Sequence, residues 1–106
     1  MNRVGFTWRI RPEAMEKYVY MHKNPWPAVQ EAIKDSGFNN FSIHMVEHRC
    51  FAYFETDLDA ATCMANLVKH PVFNEWQDVM TPMQEEESFA GCGQRFYFME
   101  EVYYNP

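Results

Sequence analysis

Three side chains that can bind a ligand or move a proton recur at a spacing of four residues: Tyr18, His22 and Trp26. Residues four apart lie on one face of an α-helix. Pro25 prevents a regular helix from continuing, so His22 is expected in the last helical turn. An imidazole with a pKa of about 6.5 suits proton transfer at neutral pH. His22 is therefore either a proton-transfer residue or a histidine with a purely structural role.

The other aromatic candidates each have a functional and a structural interpretation. The Tyr18 hydroxyl can bind a polar ligand or relay a proton, or the ring can belong to the core face of its helix. Trp26, between two prolines, is expected to anchor a bend. Trp76 either packs in the core or offers a stacking face for a sugar. It belongs to a helical stripe with Phe73, Val79 and Met80.

The cysteines and the remaining histidines predict neither a metal site nor a disulfide framework. Cys50, Cys63 and Cys92 are odd in number and far apart, which is typical of free thiols in a reducing cytoplasm. His44 and His48 straddle a predicted strand and turn, so they are not a helical ligand pair. The sequence contains no Gly-rich phosphate loop, nucleophile elbow or dinucleotide fingerprint. No cofactor is predicted.

Length and composition favour one domain spanning residues 1–106. Aromatic residues make up 17% of the chain, which favours a packed sheet surface or a pocket with stacking faces. Nine basic and 15 acidic residues give a net charge of −6, which disfavours nucleic acid as a partner. No apolar run is long enough to span a membrane, and the N-terminus enters a strand pattern without signal-peptide anatomy.

Strict alternation of apolar residues over residues 3–10 predicts a half-buried first strand. Pro12 then begins a helix to about residue 23, and Pro27 begins another that Gly37 ends. Further elements follow from similar signals. They are strands 38–47 and 49–56 joined at Glu47–His48, a helix capped by Asp57 or Asp59 and interrupted at His70–Pro71, a helical segment 72–80, a mobile acidic loop 81–93 and a last strand 94–104.

The predicted order βαββαβ is typical of a ferredoxin-like α+β fold, an antiparallel sheet with its helices on one face. Both faces of the last strand carry large aromatic residues, yet the helices can cover only one face of the sheet. A second copy packing sheet to sheet would bury the other face. The sequence therefore predicts a homodimer in the form of a dimeric α+β barrel.

Over nearly its whole length the chain resembles the L-rhamnose mutarotases. The resemblance rests on Tyr18 and His22 followed by Trp26-Pro27, on Trp76 with Met80, and on the closing Glu101-Val-Tyr-Tyr-x-Pro106. It implies a cofactor-free isomerase that interconverts the α and β anomers of a monosaccharide, a six-carbon deoxy sugar. It also implies that His22 is the catalytic proton donor and that Tyr18, Phe41, Trp76 and Gln77 line the substrate site.

Two of these positions depart from the pattern of the family. A tyrosine is expected at position 41 and a tryptophan at 77, where this chain has Phe41 and Gln77. L-Fucose is therefore an alternative substrate to L-rhamnose. The resemblance leads to a mechanism in which His22, as imidazolium, protonates the ring oxygen. Tyr18, or a water that it orients, would handle the anomeric hydroxyl.

Fold alone does not fix function, and two other interpretations stay open. One is a non-catalytic small-molecule-binding protein on the same dimeric scaffold. The other is a cofactor-free or haem-dependent monooxygenase.

Overall fold

The computed structural model describes residues 1–86 and 95–106. In this part of the chain the structure has five strands and four α-helices, one strand more than the predicted order βαββαβ. The strands are β1 (Asn2–Ile10), β2 (Asn39–Val46), β3 (Arg49–Thr56), β4 (Gln84–Glu85) and β5 (Tyr97–Met99). The helices are α1 (Met15–Lys23), α2 (Pro27–Asp35), α3 (Ala60–Leu67) and α4 (Pro71–Met80), with short 3-10 turns at Pro12–Ala14 and Thr81–Met83.

The strands form one antiparallel sheet in the order β2-β3-β1-β4, and β5 pairs with β1 as well. Both short strands use the same edge of β1: β4 lies opposite Arg9 and Ile10, and β5 lies opposite residues 5–7. The fourth strand of the ferredoxin-like arrangement is thus divided into two pieces. The prediction of an α+β fold is confirmed.

One face of the sheet is buried beneath the helices. The alternation in β1 places Phe6, Trp8 and Ile10 on this face, and each is at most 5% exposed. The helices contribute the other half of the core: Tyr18, Val29, Ala32, Cys63, Leu67, Phe73, Trp76 and Met80. Within the described residues no helix is long and apolar enough to cross a membrane.

The signals at the helix ends act largely as predicted. Of the two candidate caps, Asp59 is the one used, and its carboxylate accepts a hydrogen bond from the backbone N–H of Thr62 at 2.7 Å. Gly37 follows α2 with a φ of 105°, a left-handed conformation that favours glycine. The predicted break between α3 and α4 is present, but it covers residues 68–70, and Pro71 is the first residue of α4.

The prediction of an acidic loop over residues 81–93 is wrong for its first part. Residues 81–83 form a 3-10 turn, and Gln84 and Glu85 form β4. Met83 and Gln84 are buried, because the backbone N–H of Arg11 donates to the Met83 carbonyl at 2.8 Å and holds this segment against β1. Residues 87–93 of that predicted loop, including Cys92, lie outside the described residues.

The prediction of a long last strand over residues 94–104 is also wrong, because only Tyr97–Met99 pair in the sheet. Beyond Met99 the chain is held by side chains instead. The Arg3 guanidinium binds the Glu101 carboxylate at 2.8 Å and lies 3.3 Å from the centre of the Tyr104 ring. Glu101 and Tyr104 thus contact β1 through their side chains and not by strand pairing.

Candidate functional site

A cavity of about 590 Å³ lies between the inner face of the sheet and the helices. All five residues predicted for the site line it: Tyr18, His22, Phe41, Trp76 and Gln77. They come from three different elements, α1, β2 and α4, so the fold brings together side chains that are far apart in the sequence. Most of the wall is apolar and aromatic, with a few polar groups at defined places, as is usual for small-molecule sites.

His22 lies in the last turn of α1, as predicted, and its side chain is half-buried. Its Nδ1 atom is 2.8 Å from the backbone carbonyl oxygen of Tyr18. A carbonyl can only accept, so Nδ1 carries a hydrogen and Nε2 is the nitrogen left for a ligand. Burial lowers the pKa of His22, and the hydrogen bond to the Tyr18 carbonyl opposes this only in part. At neutral pH the ring is therefore mainly neutral, with a lone pair on Nε2.

The hydroxyl of Tyr18 is buried and surrounded by hydrogen-bond donors. The indole Nε1 of Trp8 donates to it at 2.8 Å, and the amide nitrogen of Gln84 lies 3.5 Å away. Burial raises the pKa of Tyr18, so the hydroxyl stays protonated throughout the neutral range.

The contacts of Trp8 and Gln84 with the Tyr18 hydroxyl are not predicted by the sequence. The alternation of β1 marks Trp8 as a core residue, which it also is, and Gln84 falls in a segment that was predicted to be a loop. No local signal in the sequence points from either residue to Tyr18.

A series of ring contacts makes one wall of the cavity. The rings of Tyr18 and His22 stack with centroids 4.2 Å apart, and the edge of His22 meets Trp76 at 5.6 Å. Trp26 meets Trp76 edge to face at 5.0 Å. Trp26 therefore supports the cavity from behind, in agreement with its predicted anchoring role. Trp76 is both a core residue and a cavity-lining one.

Phe41 and Gln77 give the cavity two chemically different regions. Phe41 belongs to an aromatic cluster with Phe38 at 5.5 Å and Phe6 at 6.3 Å, so this part of the wall is apolar. Gln77 is half-buried on α4 and contributes an amide. The cavity wall therefore combines an apolar aromatic region with an amide that can donate and accept hydrogen bonds.

The remaining thiols and histidines contribute no further group to the cavity wall. Cys50 and Cys63 are buried free thiols, and Cys50 lies close enough to Tyr18 to add to the rise in its pKa. His44 is exposed on β2. Among the described residues no three His, Cys, Asp or Glu side chains are grouped closely enough to hold a metal ion.

Fold and cavity together define a small α+β protein with an aromatic-lined cavity that has the imidazole of His22 on its wall. The sequence profile of the L-rhamnose mutarotases matches residues 3–105. This chain belongs to the L-rhamnose mutarotase family. The resemblance noted in the sequence is thereby confirmed, as is the class of enzyme, because the family consists of carbohydrate isomerases that interconvert anomers.

Individual relatives agree with the family assignment. The L-rhamnose mutarotase of Rhizobium meliloti (strain 1021) is 28% identical over 94 residues, covering 85% of this chain and 90% of the relative. That of Escherichia fergusonii is 24% identical over 109 residues and covers both chains completely.

Two solved structures share the fold over the full length of both chains. The crystal structure of L-rhamnose mutarotase FA22100 from Formosa agariphila superimposes with a TM-score of 0.76 at 20% identity. Tetracenomycin F2 cyclase from Streptomyces glaucescens, a type-II polyketide cyclase, gives 0.59 at 13% identity. At these identities the likeness concerns the fold alone, and the cyclase illustrates that the same scaffold carries different chemistry.

Proposed function

We propose that this chain interconverts the α and β anomers of a deoxyhexose, L-rhamnose or a close relative such as L-fucose. The observation that carries the proposal is the pairing of two residues that line one cavity, His22 and Tyr18. His22 has a neutral imidazole with a single nitrogen left for a ligand, and Tyr18 has a hydroxyl that stays protonated. Family membership supports the reaction type.

Mutarotation needs proton transfer at two oxygens of the sugar. Ring opening removes a proton from the anomeric hydroxyl and delivers one to the ring oxygen, and closure on the other face reverses both transfers. A well-placed acid or base contributes about 10²–10⁴-fold to such a step. Because His22 rests in its neutral form, it acts first as a base and returns the proton as imidazolium. This order is the reverse of the one that the resemblance implied.

The two regions of the cavity fit the two ends of a deoxyhexose. The C6 methyl group of such a sugar is apolar and suits the aromatic cluster around Phe41. The indole of Trp76 offers a face or edge to the C–H groups of the ring, and the amide of Gln77 can hydrogen-bond a hydroxyl. Phe41 thus favours sugars that lack a hydroxyl at C6.

The proposal is tested by measuring anomer exchange by NMR on two matched pairs of sugars. L-Mannose differs from L-rhamnose, and L-galactose from L-fucose, by one hydroxyl at C6. The protein is expected to accelerate exchange of at least one deoxy sugar and to act more slowly on its C6-hydroxylated partner. Binding without acceleration of any sugar would instead support the non-catalytic alternative, and equal rates within both pairs would contradict the proposed role of the aromatic cluster.

We further propose that two copies pack through the helix-free face of the sheet. Residues directly opposite each other on paired strands share a face. Phe51 and Tyr97 flank Thr7, while Tyr53 and Met99 flank Gly5, so two rows of large side chains cross this face. Phe51 is 37% and Met99 40% exposed in the single chain. Such a patch is the expected contact surface for a second copy.

Sedimentation at micromolar concentration tests this dimer. Wild-type protein is expected at twice the mass of the chain, and Phe51→Lys is expected to shift it toward the monomer. Val68→Lys is the matched control, since Val68 is 52% exposed at the end of α3 and its lysine variant should remain a dimer. A monomeric wild-type protein would contradict the proposal.

The cytoplasm is the compartment that we propose for this protein. Cys50 and Cys63 are both buried as free thiols, which fits a reducing environment. Cell fractionation tests this assignment, with recovery in a secreted or membrane fraction as the contradicting result.

A further inference from the structure

The immediate surroundings of the Tyr18 hydroxyl suggest a role for two residues outside the predicted site. Trp8 Nε1 lies 2.8 Å and Gln84 Nε2 lies 3.5 Å from the hydroxyl oxygen, and all three residues line the same cavity. A phenolic oxygen has acceptor positions and a single proton to donate. When N–H groups occupy its acceptor positions, the proton is the only group that the hydroxyl can still offer.

The orientation of the Gln84 amide decides whether it is a donor or an acceptor toward Tyr18. Gln84 is 3% exposed, and its Oε1 atom has no hydrogen-bond partner among residues 1–86 and 95–106. Exchanging the two ends would instead bury the NH₂ group without an acceptor. Buried N–H groups without a partner are rarer than carbonyls without one, so the orientation with nitrogen toward Tyr18 is favoured.

The backbone keeps both donors in place. Trp8 is part of β1, and Gln84 pairs with Ile10 of the same strand. The neighbouring hydrogen bond from the Arg11 backbone N–H to the Met83 carbonyl, at 2.8 Å, fixes the register of this segment. The two donors therefore belong to one hydrogen-bonded part of the sheet, and Tyr18 reaches them from α1.

We infer that Trp8 and Gln84 are positioning residues that direct the proton of Tyr18 into the cavity, where it is donated to the ring oxygen of the sugar. This inference rests on the proposed mutarotase function and assigns the partner groups for its two proton transfers. Burial also raises the pKa of Tyr18, which keeps the proton on the hydroxyl until the ring opens.

The proposed step balances in protons and electrons. Nε2 of His22 takes the proton of the anomeric hydroxyl, and the O–H electron pair forms the C=O bond of the open aldehyde. The bond between C1 and the ring oxygen breaks, and its electron pair takes the proton of Tyr18. After rotation about the C1–C2 bond, the ring oxygen attacks the other face of the aldehyde. Its proton then returns to Tyr18, and His22 gives its proton to the new anomeric oxygen.

A double-mutant cycle separates positioning from a packing role. Gln84→Glu places a carboxylate beside the Tyr18 hydroxyl, so that the hydroxyl donates to the protein instead of the sugar. In the wild-type background this change is expected to lower kcat about tenfold while KM stays within about twofold. In a Tyr18→Phe background the same change is expected to lower kcat by less than about twofold, because the group through which Gln84 acts is gone.

Gln84→Met and Trp8→Phe complete the experiment. Both remove a donor without adding an acceptor, so each is expected to reduce kcat by only about three- to fivefold. The inference is overturned if Gln84→Glu leaves kcat unchanged, which would mean that the amide carbonyl already accepts the Tyr18 proton. It is also overturned if Gln84→Glu causes equal losses in both backgrounds. A wild-type protein without exchange activity would instead contradict the proposed function itself.

Discussion

The Nδ1 atom of His22 lies 2.8 Å from the carbonyl oxygen of Tyr18, one helical turn earlier. This contact fixes the imidazole tautomer with Nδ1 protonated and leaves Nε2 for the ligand. The same Tyr18 stacks its ring on His22 at 4.2 Å and also lines the cavity. A spacing of four residues thus sets the tautomer and the orientation of the imidazole and places Tyr18, its proposed acid–base partner, beside it.

The pH dependence of the reaction distinguishes the two possible roles of His22. Burial lowers the pKa of His22 below its ordinary value of about 6.5. If the neutral ring is the base, catalysed exchange is constant above that lowered pKa and falls about tenfold per pH unit below it. The raised pKa of Tyr18 keeps the acid protonated through the neutral range. Exchange is measured from pH 4 to 9, with the protein-free rate subtracted at each pH.

An acid role for imidazolium would give the opposite profile, with activity lost as the pH rises through the pKa of His22.

The lowered pKa of His22 also affects folding, because the unfolded chain binds a proton at His22 more readily than the native one. The free energy of unfolding is therefore unaffected by His22 titration above about pH 6.5 and decreases as the pH falls toward the pKa of His22 in the native state. His22→Ala should remove this pH dependence, which a comparison of unfolding free energies at two pH values can show.

Phe41→Tyr is expected to change the preference among sugars. It adds a hydroxyl to a wall that is apolar in this chain, at a position where the family pattern has a tyrosine. Because the aromatic cluster around Phe41 is proposed to hold the C6 methyl group, the added hydroxyl could bind a hydroxyl at C6, a gain of about 1 kcal/mol. The preference for L-rhamnose over L-mannose, measured as the ratio of kcat/KM for the two sugars, is therefore expected to fall about fivefold. An unchanged ratio would mean that residue 41 does not face C6 of the sugar.

Trp26→Leu is expected to affect substrate binding more than chemistry. Trp26 supports Trp76 edge to face at 5.0 Å without touching His22 through any described ring contact. Losing an aromatic pair costs about 0.5–1.5 kcal/mol, which corresponds to a rise in KM of about two- to 13-fold. Trp26→Phe retains a ring and serves as the control. A fall in kcat with KM unchanged would contradict the supporting role.

Gly37→Ala tests the turn that joins α2 to β2. The backbone φ of Gly37 is 105°, and an added Cβ would lie 2.9 Å from Leu58 Cδ1 and 3.3 Å from Cys63 Sγ. The substitution is expected to lower the free energy of unfolding by about 1–3 kcal/mol in urea denaturation. Gly5→Ala is the control, because there the nearest atom is the flexible end of Met99 at 3.3 Å. Equal losses at both positions would argue against backbone strain at Gly37.

Much of the fold could be predicted because its signals are local. The alternation in β1, the prolines at helix starts and Gly37 each act within a few residues of their own position. The division of the last strand could not be predicted, since it depends on which part of β1 is left for Gln84 and which for Tyr97–Met99. Pairing between segments that are distant in sequence cannot be recognised from the residues of either segment alone.

In the candidate site, too, some contacts follow from local sequence signals and others do not. Tyr18 and His22 share a helix, so their spacing alone predicts their proximity. Phe41, Trp76 and Gln77 were assigned through the family resemblance, and the structure places them on the same cavity as His22. The contacts of Trp8 and Gln84 with Tyr18 depend on the packing of α1 against β1 and β4, which no residue pattern encodes.

The central claim is that this protein catalyses anomer exchange through His22. Exchange spectroscopy by NMR on L-rhamnose and L-fucose, with wild-type protein and with His22→Ala, tests it most directly. Wild-type protein is expected to accelerate exchange of at least one sugar, and His22→Ala to reduce that acceleration at least about 100-fold while its thermal unfolding remains cooperative. A folded His22→Ala protein that exchanges the anomers at the wild-type rate would contradict the account.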